Sequence, residues 1–167
     1  MMRILILNPF AGGTFEKENC RKIARPDTEV EFRDTTGLFP LPYFIWRFFE
    51  QKAKDAVIEK IIEAEREGFD AALIACMADP GLEEVRTLVD IPVIGTAESV
   101  FHVACMMCRR FSLVDPRTES GQNYFSGREP HARLYRYGVS DERIASFRQI
   151  GVSIKDLEKK PADVVQQ

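Results

Sequence analysis

This chain lacks any excess of positive charge. Its 23 lysines and arginines are outnumbered by 26 aspartates and glutamates, for a net charge of −3 and a pI near 5.5. Without a basic footprint, nucleic acid is not an expected partner. No apolar run is long enough to span a bilayer, so a membrane is not expected either. The opening Met1-Met2-Arg3 runs through Ile4-Leu5-Ile6-Leu7 straight into Asn8-Pro9. That is too short and too abrupt for a secretory signal, and a cytoplasmic location follows as the expectation. The G-x-G-x-x-G and Walker patterns are absent, and Gly12-Gly13-Thr14 alone makes a weak phosphate cradle. The single C-x-x-C, Cys105-Met106-Met107-Cys108, has no second copy to complete a zinc site. No metal is expected, and with no export signal the four cysteines (Cys20, Cys76, Cys105, Cys108) are expected as reduced thiols. His102 shares the helix of the C-x-x-C, and His131 gives no hint of a catalytic triad.

What the chain does have is enough apolar material for a core. At 167 residues and 45% hydrophobic content, one globular domain or at most two small ones is expected, with a small polar metabolite as partner. Strand and helix signals alternate. Strands are predicted at Arg3 to Leu7, Val30 to Arg33, the run from Phe69 to Cys76, Pro92 to Gly95 and Phe111 to Val114. Helices are predicted over Thr14 to Ala24, over a stripe of Ala53, Val57, Ile61 and Ala64 ending at Gly68, over Pro80 to about Leu88, and over Ala97 to Arg109. This alternation predicts an α/β fold with a doubly wound parallel sheet.

In such a sheet, ligands bind beyond the carboxyl ends of the strands. Those ends carry Asn8-Pro9-Phe10, Cys76-Met77-Ala78-Asp79, Thr96-Ala97-Glu98-Ser99 and Asp115-Pro116. Cys76 closes an apolar strand and is followed by Asp79-Pro80, a helix start signal in which Asp79 caps and Pro80 takes the first position. A helix N-terminus just beyond the sulfur would favour a thiolate. The competing reading is a small buried hydrophobe, as free cysteines usually are. For Cys105 and Cys108, in mid-helix, core packing is the expectation. Asn8 and Thr96 suit hydrogen bonding to a substrate, and equally suit a turn and an N-cap.

The run Ala75-Cys76-Met77-Ala78-Asp79-Pro80-Gly81-Leu82, with Leu88 to Gly95 and Glu98 after it, resembles the hydantoin racemase branch of the aspartate/glutamate racemase superfamily. Asn8-Pro9 ends the first strand as in that family, whose Asn-Pro-Asn-Thr is here Asn8-Pro9-Phe10-Ala11. Tyr135 to Val139, with Arg143 to Phe147 behind it, resembles the segment entering the second lobe. The resemblance implies a cofactor-independent racemase or isomerase acting on a hydantoin or amino-acid derivative. Two cysteines on opposite faces would remove and return the proton beside a carbonyl. It makes Cys76 one acid/base, with Asn8, Phe10, Met77, Ala78, Asp79, Thr96 and Glu98 around the substrate. The backbone N–H groups of Met77 and Ala78 would hold the enolate oxygen.

The second cysteine of such a site would follow a further strand, and the chain ends at Gln167 before one. The expected organisation is therefore a first lobe over 1–115 and the start of a second, incomplete lobe over 116–167. A non-catalytic metabolite-binding module, an inactive fragment, or a related decarboxylase or cis-trans isomerase remain open. The aromatic segment Leu38 to Phe49 should be buried, form an interface or, through Phe39 or Tyr43, close over the site, and a homo-oligomer is expected. Arg128, His131, Arg133 and Arg136 read as a solvated helix face.

Overall fold

Four consecutive apolar residues, Ile4 to Leu7, cannot alternate between core and water, so a strand built from them must be covered on both faces. They lie in β1 (Met2–Asn8), where Leu5, Ile6, Leu7 and Asn8 are all buried. The computed structural model describes residues 1–10, 17–35, 47–117 and 134–153. After β1 come α1 (Lys17–Ile23), β2 (Thr28–Asp34), α2 (Arg47–Arg66), β3 (Ala71–Ile74), α3 (Leu82–Val85), β4 (Val93–Gly95) and α4 (Thr96–Met107). Then follow β5 (Phe111–Arg117), a 3-10 turn at Asp141–Arg143 and β6 (Ile144–Ser153). The chain divides into two compact units, Met1–Ala97 and Glu98–Gln167. Among the described residues, no helix is long and apolar enough to cross a membrane.

The first unit is a parallel sheet in the order β2-β1-β3-β4, as the alternation of elements predicts. Register sets Asn8 beside Asp34, Leu7 beside Ile74 and Ile74 beside Gly95, so all four carboxyl ends share one edge. From β1 the winding goes outward to β2 and returns across β1 to β3. The switch point therefore lies between β1 and β3, where such folds open a crevice.

α2 buries the predicted stripe, with Ala53, Val57, Ile61 and Ala64 wholly inaccessible. It ends as the sequence predicts: Gly68, at φ 82°, donates to Glu65 O (3.0 Å), and Phe69 N–H donates to Ala64 O (3.1 Å). Those two bonds form a Schellman motif, whose left-handed residue glycine fills without strain. Beyond this turn Phe69 is buried, with the Arg3 and Arg33 guanidinium carbons 4.2 and 5.1 Å from its ring centroid. Both arginines sit in a charged cluster with Glu29, Glu31 and Glu67.

In the second unit β5 and β6 pair in parallel, while Phe101 stacks near Phe111 and Tyr137. The first unit closes at Ala97, before β5, whereas the sequence-based boundary lies at 115/116. β6 has no counterpart among the predicted strands. Its Arg148, Gln149 and Gly151 interrupt the apolar pattern on which strand prediction relies. The core placement expected for the C-x-x-C is corrected. Cys105 is half-buried and Cys108 exposed, with Met106 and Met107 about 80% exposed, because the motif lies at the carboxyl end of α4, where the helix stops at Met107, and not in its middle. Gly12 to Thr14, Phe39, Tyr43, Arg128, His131 and Arg133 lie outside the described residues. Of the aromatic segment, Phe48 is exposed at the start of α2, and Arg136 is exposed as expected.

Candidate active site

The sheet's carboxyl edge gathers most of the predicted site residues. β3 stops at Ile74, and the chain turns through Ala75, whose N–H donates to Leu7 O (2.9 Å), into Cys76. Cys76 is 8% exposed, its N–H donates to Ile74 O (3.0 Å), and Asp79 N–H donates to its carbonyl (3.0 Å). This tight turn leaves the Ala78 N–H 3.4 Å from Cys76 Sγ, as a donor to the sulfur. Hydrogen bonding to the charged form favours a thiolate. Met77, half-buried, makes no backbone hydrogen bond through its N–H among the described residues.

Beside it, at the end of β1, Asn8 is 1% exposed and donates from Nδ2 to Asp34 Oδ1 (2.8 Å). Its carbonyl accepts the N–H of Thr35 (3.0 Å). Pro9 is buried behind Asn8, and Phe10 is half-buried next in the chain. At the end of β4, Thr96 donates from Oγ1 to Ile74 O (2.7 Å), which ties the start of α4 to the end of β3. Glu98, half-buried on the first turn of α4, and Asp115, buried on β5, belong to the second unit. Asn8, Phe10, Met77, Ala78, Asp79 and Thr96 thus share the edge with Cys76 in the first unit.

Asp79 departs from its predicted role. The helix it was to cap spans only Leu82–Val85, with Gly81 as N-cap and no side-chain capping bond. A single turn carries little of a helix dipole, so the sulfur gains less from α3 than a helix from Pro80 to Leu88 would give. Asp79 instead accepts the N–H of Ala97 on Oδ1 (3.0 Å), capping α4 from 18 residues away. It is 1% exposed and has φ 44°, alone among the described non-glycine residues in the left-handed region. Asp tolerates that region better than most side chains.

Two residues at this edge were not anticipated. Thr35 follows β2 and is buried, its Oγ1 without a hydrogen-bond partner among the described residues. Its signal was available, since the carboxyl-end rule applied to β2 points to Asp34-Thr35. Gly95 is the other: a Cβ there would lie 2.5 Å from Asp79 Oδ2, 2.7 Å from its Cγ and 2.5 Å from Leu82 Cδ2. No local pattern announces that need. Among the described residues, no group of three or more His, Cys, Asp or Glu could hold a metal ion. A separate cleft of about 340 Å³, lined by Arg21, Ala24, Thr28, Glu29 and Val30, lies at the amino end of β2, away from this edge.

Similarity to known proteins converges on the same fold. The chain is 30% identical to a hydantoin racemase of Pseudomonas sp. (strain NS671), over 96% of its length and 62% of that protein's. It is 44% identical to a hydantoin racemase of Paenarthrobacter aurescens, over 88% of this chain and 60% of the relative. The chain therefore spans about three fifths of the length of these two relatives. Among solved structures, the allantoin racemase from Klebsiella pneumoniae superposes with a TM-score of 0.80 at 28% identity, covering 99% of this chain and 65% of the other. The allantoin racemase of Pseudomonas fluorescens has the same fold, with a TM-score of 0.73 at 24% identity, over 99% of this chain and 67% of that one. The model of the Asp/Glu/hydantoin racemase family matches residues 4–167, and with it the parallel sheet that presents Cys76, Asn8 and Thr96 on one edge; the chain belongs to that family.

Proposed function

We propose that this chain carries the Cys76 side of a racemase site that exchanges the proton on the carbon beside a carbonyl, in a hydantoin or related amino-acid derivative, without a cofactor. The observation that carries this reading is the placement of Cys76. Its thiol stands at the carboxyl edge of the sheet beside the switch point, and the Ala78 N–H is aimed at its sulfur. The names of the similar proteins support the substrate class, since they are hydantoin and allantoin racemases, and allantoin itself contains a hydantoin ring.

In this reading the Cys76 thiolate takes the α-proton and becomes a thiol, and the electron pair moves onto the carbonyl oxygen. The Met77 N–H, which has no partner among the described residues, is the available backbone donor for that oxygen. Ala78, expected to share this task, is engaged by the sulfur instead, as a donor that favours its charged form. Asn8 and Thr96 border the same edge and orient the ring's polar atoms. Inversion needs a second acid on the opposite face. Cys20 lies on α1, and Cys105 and Cys108 on or just beyond α4, so none of them follows a strand end.

The test is α-hydrogen exchange of hydantoins in heavy water, followed by NMR with chiral analysis, for the parent chain and Cys76→Ala. Exchange that disappears in Cys76→Ala is expected, with inversion if a second acid faces Cys76 and retention if Cys76 acts alone. Exchange that survives the substitution, or its absence in the parent across hydantoins and amino-acid derivatives, would remove the reading.

A further inference from the structure

We infer that Asp79 is a positioning residue for Cys76, acting through its tether to α4; this rests on Cys76 as the reactive thiol. Three features meet at Asp79. Its backbone closes the cysteine turn, donating to Cys76 O (3.0 Å) and accepting from Leu82 N–H (3.3 Å). Its φ of 44° lies in the left-handed region that residues other than glycine rarely adopt, so the surroundings must hold it there. Its buried carboxylate supplies the hold, with Oδ1 on Ala97 N–H and Cγ and Oδ2 filling the space that a side chain at residue 95 would need.

The consequence for the sulfur is geometric. Thr96 Oγ1 on Ile74 O fixes the residue two before Cys76, and Asp79 on Ala97 fixes the residue three after it. Cys76 is held at both sides against a single structural point, the start of α4. Ala78, next to Asp79 in the chain, inherits its position from that anchor, and its N–H reaches Sγ only while the turn stays closed. Release of the tether lets Asp79 relax to an ordinary right-handed or extended conformation, which swings the Ala78 N–H away from the sulfur. Asp79 touches neither substrate nor proton in this scheme. A negative charge at this position would oppose a thiolate, so any help Asp79 gives Cys76 must come through geometry.

That opposition in sign makes the inference testable. Asp79→Asn retains an acceptor for Ala97 N–H and discards the charge; Asp79→Ala discards both. Ala97→Pro leaves Asp79 intact but removes the donor, at the start of a helix where proline is tolerated. The rate of Cys76 alkylation by iodoacetamide is measured against pH by peptide mass spectrometry, on chains whose circular dichroism matches the parent. Asp79→Ala and Ala97→Pro are expected to raise the alkylation midpoint, with about tenfold slower modification at pH 7 for a one-unit rise. Asp79→Asn is expected to stay at or below the parent midpoint. Unchanged or lowered midpoints in both Asp79→Ala and Ala97→Pro, beside a fast-alkylating parent, would overturn the positioning role alone. A parent Cys76 that alkylates no faster than exposed Cys108 would remove the reactive thiol itself and the positioning role with it.

Discussion

At the scale of single residues, packing at the cysteine edge leaves Gly95 no room for a side chain and the Thr35 hydroxyl no partner among the described residues. Gly95→Ala would drive a methyl group into the Asp79 carboxylate and Leu82, both buried, so neither can move aside freely. A loss of about 1–3 kcal/mol in urea unfolding is expected, typical of an overpacked core. A change below a few tenths would show that the edge is looser than its contacts imply. Thr35→Val keeps the shape of a side chain whose buried hydroxyl has no partner among the described residues. Removing that hydroxyl should leave stability unchanged or raise it by about 1 kcal/mol, whereas a loss of that size would reveal a hydrogen bond. The edge positions of Asn8, Cys76 and Thr96 were readable from the sequence because each ends a strand or follows one within two residues, and strand ends follow from apolar runs. The true partner of Asp79 was not readable. Capping signals are local, and this carboxylate passes over the helix beside it to reach Ala97.

Among the elements, α2 was the most legible because its stripe, its length and its glycine stop agree. Gly68→Ala isolates the last of these signals, since a Cβ there comes no nearer than 4.0 Å to Arg3 Nη1 and only the φ of 82° opposes it. The expected cost is about 1 kcal/mol, read as a lower thermal midpoint with unchanged helical signal. α3 and β6 were less legible. The first is one turn long, held by Gly81 at φ 77° close to Ile58 and the Lys54 carbonyl, and the second has its apolar pattern broken by Ser146, Arg148, Gln149 and Gly151. The turn between α2 and β3 also contains a pH-dependent contact. Hydrogen bonds from Arg33 hold the Glu67 carboxyl below its ordinary value near 4.5, and Glu67 first, then Glu31, raise the Arg33 guanidinium further. A carboxyl with a lowered folded pKa stabilises above its unfolded pKa, and that contribution fades as pH falls through the folded one. Glu67→Gln should therefore melt earlier than the parent at pH 7, and the gap should close below about pH 4 and shrink in salt because the pair is exposed. A gap independent of pH would assign the effect to packing instead.

Across the whole molecule the two units differ in how much backbone they shield. In the first, β1 and β3 are interior strands of a four-stranded sheet, and Leu5, Leu7, Ala72 and Ile74 are inaccessible to solvent. Each large apolar side chain buried to that degree contributes about 1.5–3 kcal/mol, so their hydrogen bonds open only when the unit unfolds. In the second, the described strands form a two-stranded pair, an arrangement of marginal stability by itself, with Val114 60% exposed on β5. The sequence does not reveal this contrast, because Phe111 to Val114 is as apolar as many interior strands and pairing depends on residues far along the chain. Native-state hydrogen exchange should rank the amides accordingly: slowest in β1 and β3, at the global unfolding free energy, and faster through β5 and β6 by local opening. The ranking matters for the site, because the Cys76 turn hangs from the carboxyl ends of the two slow strands. A thiol whose reactivity depends on a 3.4 Å contact to one N–H needs a rigid frame beneath it, and that frame is the β1–β3 pair. Equal protection in both units would mean that the second is stabilised well beyond its described pairing, and fast exchange at Leu7 and Ala75 would contradict the rigidity on which the cysteine geometry depends.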